Sequence, residues 1–417
     1  MKHTLTLGLI ALLLAGTSSV SFAAETPDRP NVLIICVDDL KPLLGCYGAP
    51  LIKSPNIDRL AARGALFERA YCNQAVCAPS RNSLMTGLRP QSIGIYDLPT
   101  NFRQAVPDAV TLAQYFRRHG YRTEALGKIF HIGHGNHDDA ASWSVPLWRP
   151  KEGYQLRESL ANSRPNSRGG YYGPATENAD VPDTAYADGQ IANEAVARIR
   201  STPAKPDAPF FMAVGFLRPH LPFMAPKRYW DLYQRAAFDV PKLQSPPEGA
   251  PPLAPTTWGE LRAYTDMPEV GPLTPGQQRE LIHGYHAAVS YMDAQLGRVL
   301  DALDASPFAK NTIIVLWGDH GWHLGDHGLW CKHTNYEQAT RIPLIIAAPG
   351  MTRAGLKTGA LVETVDIYPT LCELAALPAP LGLDGTSFAA NLKNPATKAK
   401  ETVFHVYPRG QIIGRAV

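Results

Sequence analysis

The chain has few of the features that mark proteins that bind nucleic acids or membranes. Its 417 residues carry 40 Lys and Arg against 37 Asp and Glu, without a long basic run. This balance argues against nucleic acid or an anionic membrane surface as the main partner. No apolar stretch reaches the ~20 residues that a membrane span requires. We therefore expect the partner to be a small or local anion.

Cysteine is also scarce. The six cysteines form no Cys-x-x-Cys pair, and they lie at positions 36, 46, 72, 77, 331 and 372. This scatter indicates neither a zinc ribbon, nor a dithiol redox motif, nor a disulfide framework. Asn-x-Ser/Thr acceptors are absent as well, which favours a bacterial periplasmic or secreted protein over a glycosylated lysosomal one.

The first residues have the order of a secretory signal. Lys2 and His3 precede an apolar run over residues 5–15, and small residues follow as far as Ala24. The apolar run is too short to span a bilayer. We expect residues 1–24 to be removed and the protein to be secreted or periplasmic, without a stable membrane anchor.

The rest of the chain alternates between strand-like and helix-like segments. Apolar runs at 31–37, 121–126, 210–216, 312–317 and 342–348 alternate with helical patterns at 111–119, 184–200, 277–303 and 365–377. This order predicts an α/β domain over residues 25–395, with a large, mixed, mostly parallel sheet sandwiched by helices. Residues 403–407 and 411–417 read as strands. We therefore expect residues 396–417 to begin a small C-terminal antiparallel subdomain, which we predict to be incomplete.

Two long segments interrupt the alternation. Residues 131–183 are rich in Gly, Asn, Arg and Pro, and residues 241–275 contain proline every few positions. Long loops inside a compact domain are usually functional or disordered. We predict that both segments form walls of a substrate cleft.

Acidic residues follow two of the predicted strands. Asp38 and Asp39 end the first strand, and Asp319 and His320 end the strand at 312–317. If both strands are parallel, these groups meet at the carboxyl edge of the sheet, where ligands bind in open α/β folds. Clustered carboxylates require a cation, and oxygen ligands suit Ca²⁺ or Mg²⁺. The alternative is that one Asp of either pair caps a turn.

Cys77 lies at the start of a predicted helix. Pro79 suits the first turn, which places Cys77 at a helix N-terminus, where an anion is favoured. An isolated cysteine in such a position is by default a buried apolar residue.

Four segments change this interpretation. They are residues 77–87 with the pattern Cys-x-Pro-x-Arg, residues 120–131, residues 218–223, and residues 318–321 with Lys332 downstream. In this order they resemble the motifs of the sulfatase family, over essentially the whole mature chain. The resemblance implies an alkaline-phosphatase-like fold and a formylglycine that a separate maturing enzyme makes from Cys77.

The residues in and around these motifs are most similar to those of the iduronate 2-sulfatase branch. Residues 77–90 are followed by Ile95-Tyr96-Asp97, and Asp319 is followed by His320 rather than Asn. The resemblance implies a sulfuric ester hydrolase that acts on a sulfated saccharide. The implied substrate is a 2-O-sulfated uronate such as iduronate, in glycosaminoglycan degradation.

The resemblance also implies a role for each motif residue. The metal, Ca²⁺ rather than Mg²⁺, would be bound by Asp38, Asp39, Cys77, Asp319 and His320. The formylglycine hydrate at position 77 would attack sulfur, with Arg81 holding the hydrate and Lys128 and Lys332 clamping the sulfate. His220 would protonate the leaving sugar oxygen, and His131 would deprotonate the sulfated hydrate to expel sulfate. Each Lys and His could instead be a solvated surface charge or a structural histidine.

Some alternatives stay open. Trp322 could contact the sugar together with Lys128, His220 and Lys332, or it could belong to the core. The same superfamily contains phosphodiester and phosphonate monoester hydrolases, whose substrates also present a monoanionic tetrahedral centre. A catalytically silent protein that binds sulfated glycans is a further possibility, although it would need neither His220 nor an oxidisable Cys77.

Overall fold

The computed structural model describes residues 29–166, 171–398 and 400–417. The predicted secretory signal, residues 1–24, lies outside these ranges. Within them the strands are β1 (Asn31–Val37), β2 (Ala65–Tyr71), β3 (Arg122–Gly127), β4 (Arg164–Pro165), β5 (Tyr171–Tyr172), β6 (Thr176–Glu177), β7 (Phe210–Phe216), β8 (Phe223–Met224), β9 (Thr312–Gly318), β10 (His323–Leu324), β11 (Trp330–Cys331), β12 (Arg341–Ala347), β13 (Leu356–Glu363), β14 (His405–Arg409) and β15 (Ile412–Ala416).

The helices alternate with these strands. They are α1 (Pro55–Arg63), α2 (Cys77–Thr86), α3 (Pro90–Ile93), α4 (Phe102–Ala105), α5 (Leu112–Arg118), α6 (Arg157–Ala161), α7 (Ala187–Ser201), α8 (Lys227–Trp230), α9 (Gly259–Arg262), α10 (Pro275–Asp304), α11 (Glu337–Thr340) and α12 (Ile367–Leu374). Among the described residues, no helix combines the length and apolar character that a membrane crossing requires.

Seven strands form the central sheet, in the order β13-β2-β12-β9-β1-β7-β3. Neighbouring strands are parallel except at β12, which runs antiparallel to both β2 and β9. The predicted large, mixed, mostly parallel sheet is therefore confirmed. The central strands β1, β7 and β9 are buried at all seven positions, as strands covered on both faces must be, and nearly all of their residues are apolar.

Alternate residues of β1 face two separate cores. Leu33 and Ile35 pack with apolar residues of α1, α7 and α10, whereas Val32 and Ile34 pack with those of α2, α5 and α12. Helices therefore cover both faces of the sheet. The long helix α10 begins where Thr274 accepts a hydrogen bond from the backbone of Gln277, and the Gln277 side chain accepts in return from the backbone of Thr274.

The register of the central strands brings their carboxyl ends together. Val37, the last residue of β1, pairs with Gly318 of β9 on one side and with Phe216 of β7 on the other. The residues that follow these three strands therefore leave the sheet at one edge. This edge is the floor of the site described below.

The described residues of the two predicted wall segments form short elements before α10 begins. Residues 131–183 include α6 and three two-residue strands, and residues 241–275 include α9. At the end of the chain, β14 and β15 form the predicted antiparallel pair. This hairpin packs on the main domain, where the backbone N–H of Val406 donates to the carbonyl of Asn73 over 3.0 Å.

Candidate active site

The carboxylates that follow β1 and β9 meet at the sheet edge. The backbone N–H of Asp319 donates to the carbonyl of Val37, and Oδ1 of Asp319 accepts from the backbone N–H of Asp39 over 3.0 Å. Asp39 has a φ of 59°, so the chain turns sharply at this point. Asp38, Asp39 and Asp319 are buried, which confirms the predicted convergence of these residues.

Cys77 is the first residue of α2 and points into the same cluster. Its Sγ lies 3.5 Å from Oδ1 of Asp38, 3.4 Å from Nε2 of His320 and 3.6 Å from Nζ of Lys128. Burial, with a contribution from Asp38, raises the pKa of the thiol well above its usual value. An unmodified Cys77 would therefore remain a thiol, which is a weak nucleophile.

Arg81, one turn along α2, ties the cluster together. Its Nε donates to Oδ2 of Asp319 over 2.9 Å and its Nη2 to Oδ1 of Asp38 over 3.2 Å, while Nη1 donates to the carbonyls of Lys128 and Ile129. Arg81 is fully buried. Its donors are directed to the two carboxylates and to the loop after β3, so the geometry favours a role in holding the floor over direct contact with residue 77.

Four candidate ligand atoms lie within 4.8 Å of one another, on Asp38, Asp39, Cys77 and His320. Nδ1 of His320 lies 3.0 Å from the carbonyl of Gly321, which can only accept, and a neutral imidazole that donates there would present the lone pair of Nε2 to the cluster. Asp319 adjoins this group and binds the backbone N–H groups of Asp39 and His320. Buried carboxylates with one imidazole fit a hard divalent cation.

Two lysines neutralise different carboxylates of the cluster. Nζ of Lys128 binds Oδ2 of Asp38, and Nζ of Lys332 lies 3.0 Å from Oδ1 of Asp39 and 2.9 Å from Oε1 of Glu260. Burial lowers the pKa of both lysines, but the carboxylates raise it by more, well above the usual value at Lys332. Both side chains therefore stay charged and can bind an anion.

The two predicted catalytic histidines lie in different electrostatic surroundings. Burial and the charge of Lys128 lower the pKa of His131 to about 2, so its imidazole is neutral. At His220 burial also lowers the pKa, but Asp39 and Asp38 outweigh it and raise the pKa above its usual value. The neutral His131 is a weak base at this pKa, whereas the raised pKa of His220 favours the protonated form that can donate a proton.

A cavity of about 470 Å³ opens above this floor. Its lining includes Asp38, Lys128, His131 and His220. Residues from the segment 131–183 complete one side, among them Arg149, Tyr154 and Tyr172. This placement supports the prediction that the segment forms a wall of the cleft.

The structure corrects the predicted substrate contact of Trp322. Its side chain is 1% exposed and packs against Phe223 in the core, with ring centroids 6.1 Å apart. Nζ of Lys332 lies 4.9 Å from the centre of the indole ring. No face of the indole is open to a sugar. Trp322 instead packs against the ammonium group of Lys332.

Sequence reasoning missed Glu260. Its Oε1 lies 2.9 Å from Nζ of Lys332 and 3.1 Å from Nε2 of His220. Glu260 lies on α9, inside the proline-rich segment, where no motif distinguishes it from other surface acids. Only its contacts across the fold show that it belongs to the site.

The comparisons with known proteins agree with this architecture. A family model described as Sulfatase matches residues 30–377. Iduronate 2-sulfatase of Mus musculus is 37% identical over 91% of this chain and 74% of that protein, and a sulfatase of Formosa agariphila is 37% identical over 91% and 75%.

Solved structures show the same fold. A structure in complex with its substrate D-glucosamine-2-N,6-O-disulfate has a TM-score of 0.72 at 23% identity, covering 93% of this chain and 87% of that one. A phosphonate monoester hydrolase from Silicibacter pomeroyi also has a TM-score of 0.72 at 23% identity, covering 91% and 80%.

The fold, together with the family model, defines an enzyme with the alkaline-phosphatase-like fold. Among proteins with that fold the chain belongs to the sulfatase family, whose reaction is the hydrolysis of sulfate esters.

Proposed function

We propose that this sulfatase removes the 2-O-sulfate of a uronate such as iduronate in a glycosaminoglycan or its fragments. The observation that carries the proposal is Cys77 at the N-terminus of α2, in contact with Asp38, Lys128 and His320 at the base of the cleft. The identity of 37% to proteins named iduronate 2-sulfatase, from Mus musculus and Homo sapiens, supports the choice of sugar.

Residue 77 and a divalent cation would supply the reactive centre. A formylglycine made from Cys77 would contribute the hydroxyl that attacks sulfur. Ca²⁺, held by Asp38, Asp39, Asp319, His320 and residue 77, would favour the ionised form of that hydroxyl. Arg81 holds two of these carboxylates in place through its own hydrogen bonds.

The two lysines would bind the transferring sulfate. Displacement at sulfur concentrates charge on the non-bridging oxygens, and positioned cations stabilise that charge. Lys128 and Lys332 flank the floor and keep their charge. In the substrate complex we expect each ammonium group to share its donors between its carboxylate and a sulfate oxygen.

The two histidines would move protons on opposite sides of the reaction. His220, protonated beside Glu260, would give its proton to the leaving sugar oxygen as the S–O bond breaks. His131, neutral and with a buried Nδ1 that has no hydrogen-bond partner, would take a proton from residue 77 in the step that frees sulfate.

The remaining parts of the proposal concern the cell. The order of residues 1–24 supports export to the periplasm or the medium of a bacterium. Formation of formylglycine requires a formylglycine-generating or sulfatase-maturing enzyme, which is the protein partner that we propose.

The test combines a peptide mass measurement with an assay of sulfate release. The peptide containing residue 77 is weighed after co-expression with a formylglycine-generating enzyme, and sulfate release is measured from a 2-O-sulfated uronate disaccharide. Glucosamine 6-sulfate and an aryl phosphonate monoester serve as comparison substrates. We expect the aldehyde mass together with a preference for the uronate.

Two results would contradict the proposal. Faster turnover of the phosphonate would assign the chain to the neighbouring activity that shares its fold. A persistent thiol mass in an active enzyme would remove residue 77 as the source of the nucleophile.

A further inference from the structure

Glu260 contacts two of the proposed catalytic side chains, and the proposed reaction has no step for it. Its Oε1 is 3.1 Å from Nε2 of His220 and 2.9 Å from Nζ of Lys332. Among the described residues that line the cavity, His220 is present and Glu260 is not. Glu260 is therefore placed to act on the substrate through His220, since Lys332 is not part of the described lining either.

The surroundings of His220 favour one orientation and one charge. Nδ1 lies 2.6 Å from the carbonyl of Leu221, which can only accept a hydrogen bond. Nε2 faces the Glu260 carboxylate, which also accepts. A neutral imidazole has one N–H and could satisfy one of these acceptors, whereas the imidazolium ion satisfies both.

The charges of the neighbours agree with this geometry. Burial raises the pKa of Glu260, but Lys332 and His220 outweigh it and hold the pKa well below its usual value. The carboxylate is therefore ionised. An ionised carboxylate in a partly buried position stabilises a cation at hydrogen-bond distance more strongly than a neutral amide would.

The segment that carries Glu260 is firmly anchored, although it is a single turn. The guanidinium of Arg262 stacks over the ring of Trp258 at 3.4 Å and donates to the carbonyls of Pro268 and Gly271 over 2.8 and 2.9 Å. Leu261 is 1% exposed. These contacts fix α9, and with it the position of the Glu260 carboxylate.

We propose that Glu260 is a positioning residue that holds His220 as an oriented imidazolium ion, so that the leaving sugar oxygen meets a ready proton donor. The inference rests on the acid role of His220 in the proposed function. As the S–O bond breaks, its electron pair passes to the sugar oxygen, and the proton of His220 passes to the same oxygen. His220 is then neutral, and a proton from water restores the ion pair with Glu260.

The test is the dependence of rate on the leaving group. Wild type, E260Q, H220N and the control E280Q are matured in the same way and assayed on the sulfated disaccharide and on aryl sulfates whose phenols differ in acidity. Glu280 pairs with Arg235 at the surface, so E280Q makes the same chemical change away from the site. A poor leaving group needs the proton and an acidic phenol does not.

We expect E260Q to lower kcat on the disaccharide by on the order of 10-fold to 100-fold, a part of the 10²-fold to 10⁴-fold typical of general acid catalysis. On the most acidic phenol the loss should stay below about threefold, and H220N should show the same pattern more strongly. E260D should restore part of the lost rate. E280Q should behave as wild type on every substrate.

Other outcomes overturn the inference. An equal loss on all esters would mean that Glu260 acts through the sulfate clamp Lys332 or through the stability of α9, and unchanged kinetics would leave it without a role. Leaving-group dependence in H220N but not in E260Q would spare the proposed function and remove only Glu260. Absence of this dependence in H220N would remove the acid role of His220 and the inference together.

Discussion

The floor and the wall of the active site are built in different ways. The floor consists of side chains at the carboxyl ends of β1 and β9 and at the start of α2, all held by the central sheet. The predicted wall comprises residues 131–183 and 241–275, and its described residues form short helices and two-residue strands before α10 begins. If the floor carries the groups that act on sulfate, as proposed, we expect the wall to select the sugar.

This contrast predicts that the largest effects of mutation fall on the floor. C77A removes the proposed source of the nucleophile, and we expect sulfate release to fall by at least ~10⁴-fold, as for other catalytic nucleophiles. C72A is the matched control, because Cys72 is also fully buried and lies five residues earlier, outside the cluster. Release of sulfate by C77A at a rate near that of C72A would contradict the floor as described.

The next effect concerns the cation. A chelator should lower activity by on the order of 10²-fold, because the ionised nucleophile and the sulfate charge lose their counterion. Ca²⁺ should restore the rate and raise the unfolding temperature, since a ligand at 100 times its Kd stabilises the folded state by about 2.7 kcal/mol.

Asp39 provides the matching variant for the cation. D39N should lose the Ca²⁺-dependent rise in unfolding temperature, whereas D301N, at an exposed ion pair with Arg59, should keep it. The measurement is calorimetry with and without Ca²⁺. A rise in D39N equal to that of the unmutated protein would remove Asp39 from the ligand set.

Sequence reasoning reached the floor because its contacts follow from local patterns. The apolar run at residues 31–37 and the Asp-Asp that follows it give both the strand and its carboxyl end, and Pro79 marks the first turn of α2. Once both strands are parallel neighbours, Asp319 must arrive beside Asp39. Family resemblance then supplied roles that spacing alone does not contain.

The parts that were missed depend on contacts between distant segments. Strand β2 carries Glu68 and Arg69 at exposed positions, so its pattern does not read as a buried strand, and it joins the sheet only by pairing with β12 and β13. Glu260 meets Lys332 across 72 residues of sequence. Trp322 follows the metal motif but turns into the core, a direction that a linear pattern does not show.

Arg149 offers a way to test the wall by itself. This exposed side chain lines the cavity, and a uronate carries a carboxylate in addition to its sulfate. If Arg149 binds that carboxylate, R149A should raise KM for the 2-O-sulfated uronate by about 10-fold, the worth of one charge-assisted hydrogen bond, and leave aryl sulfates unchanged. K151A, at an exposed lysine outside the lining, is the control. Equal changes on both substrates would place Arg149 in general anion attraction instead.

The smallest effect falls on stability where α10 packs against Phe238, just before the proline-rich segment. His286 of α10 packs against Phe238, with ring centroids 4.6 Å apart, and burial lowers its pKa to about 4. The unfolded chain binds this proton near pH 6.5, whereas the folded chain binds it near pH 4. The stabilisation by the buried neutral imidazole is therefore present above pH 6.5 and is lost as the pH falls toward 4. Between pH 7 and 5.5 we expect His286 to account for about 1 kcal/mol of lost stability. The free energy of unfolding, measured with urea, should depend less on pH in H286Q over this interval. H137Q, at an exposed histidine, should leave that dependence unchanged. An unchanged pH dependence in H286Q would show that acid destabilises the protein elsewhere than at the packing of His286 on Phe238.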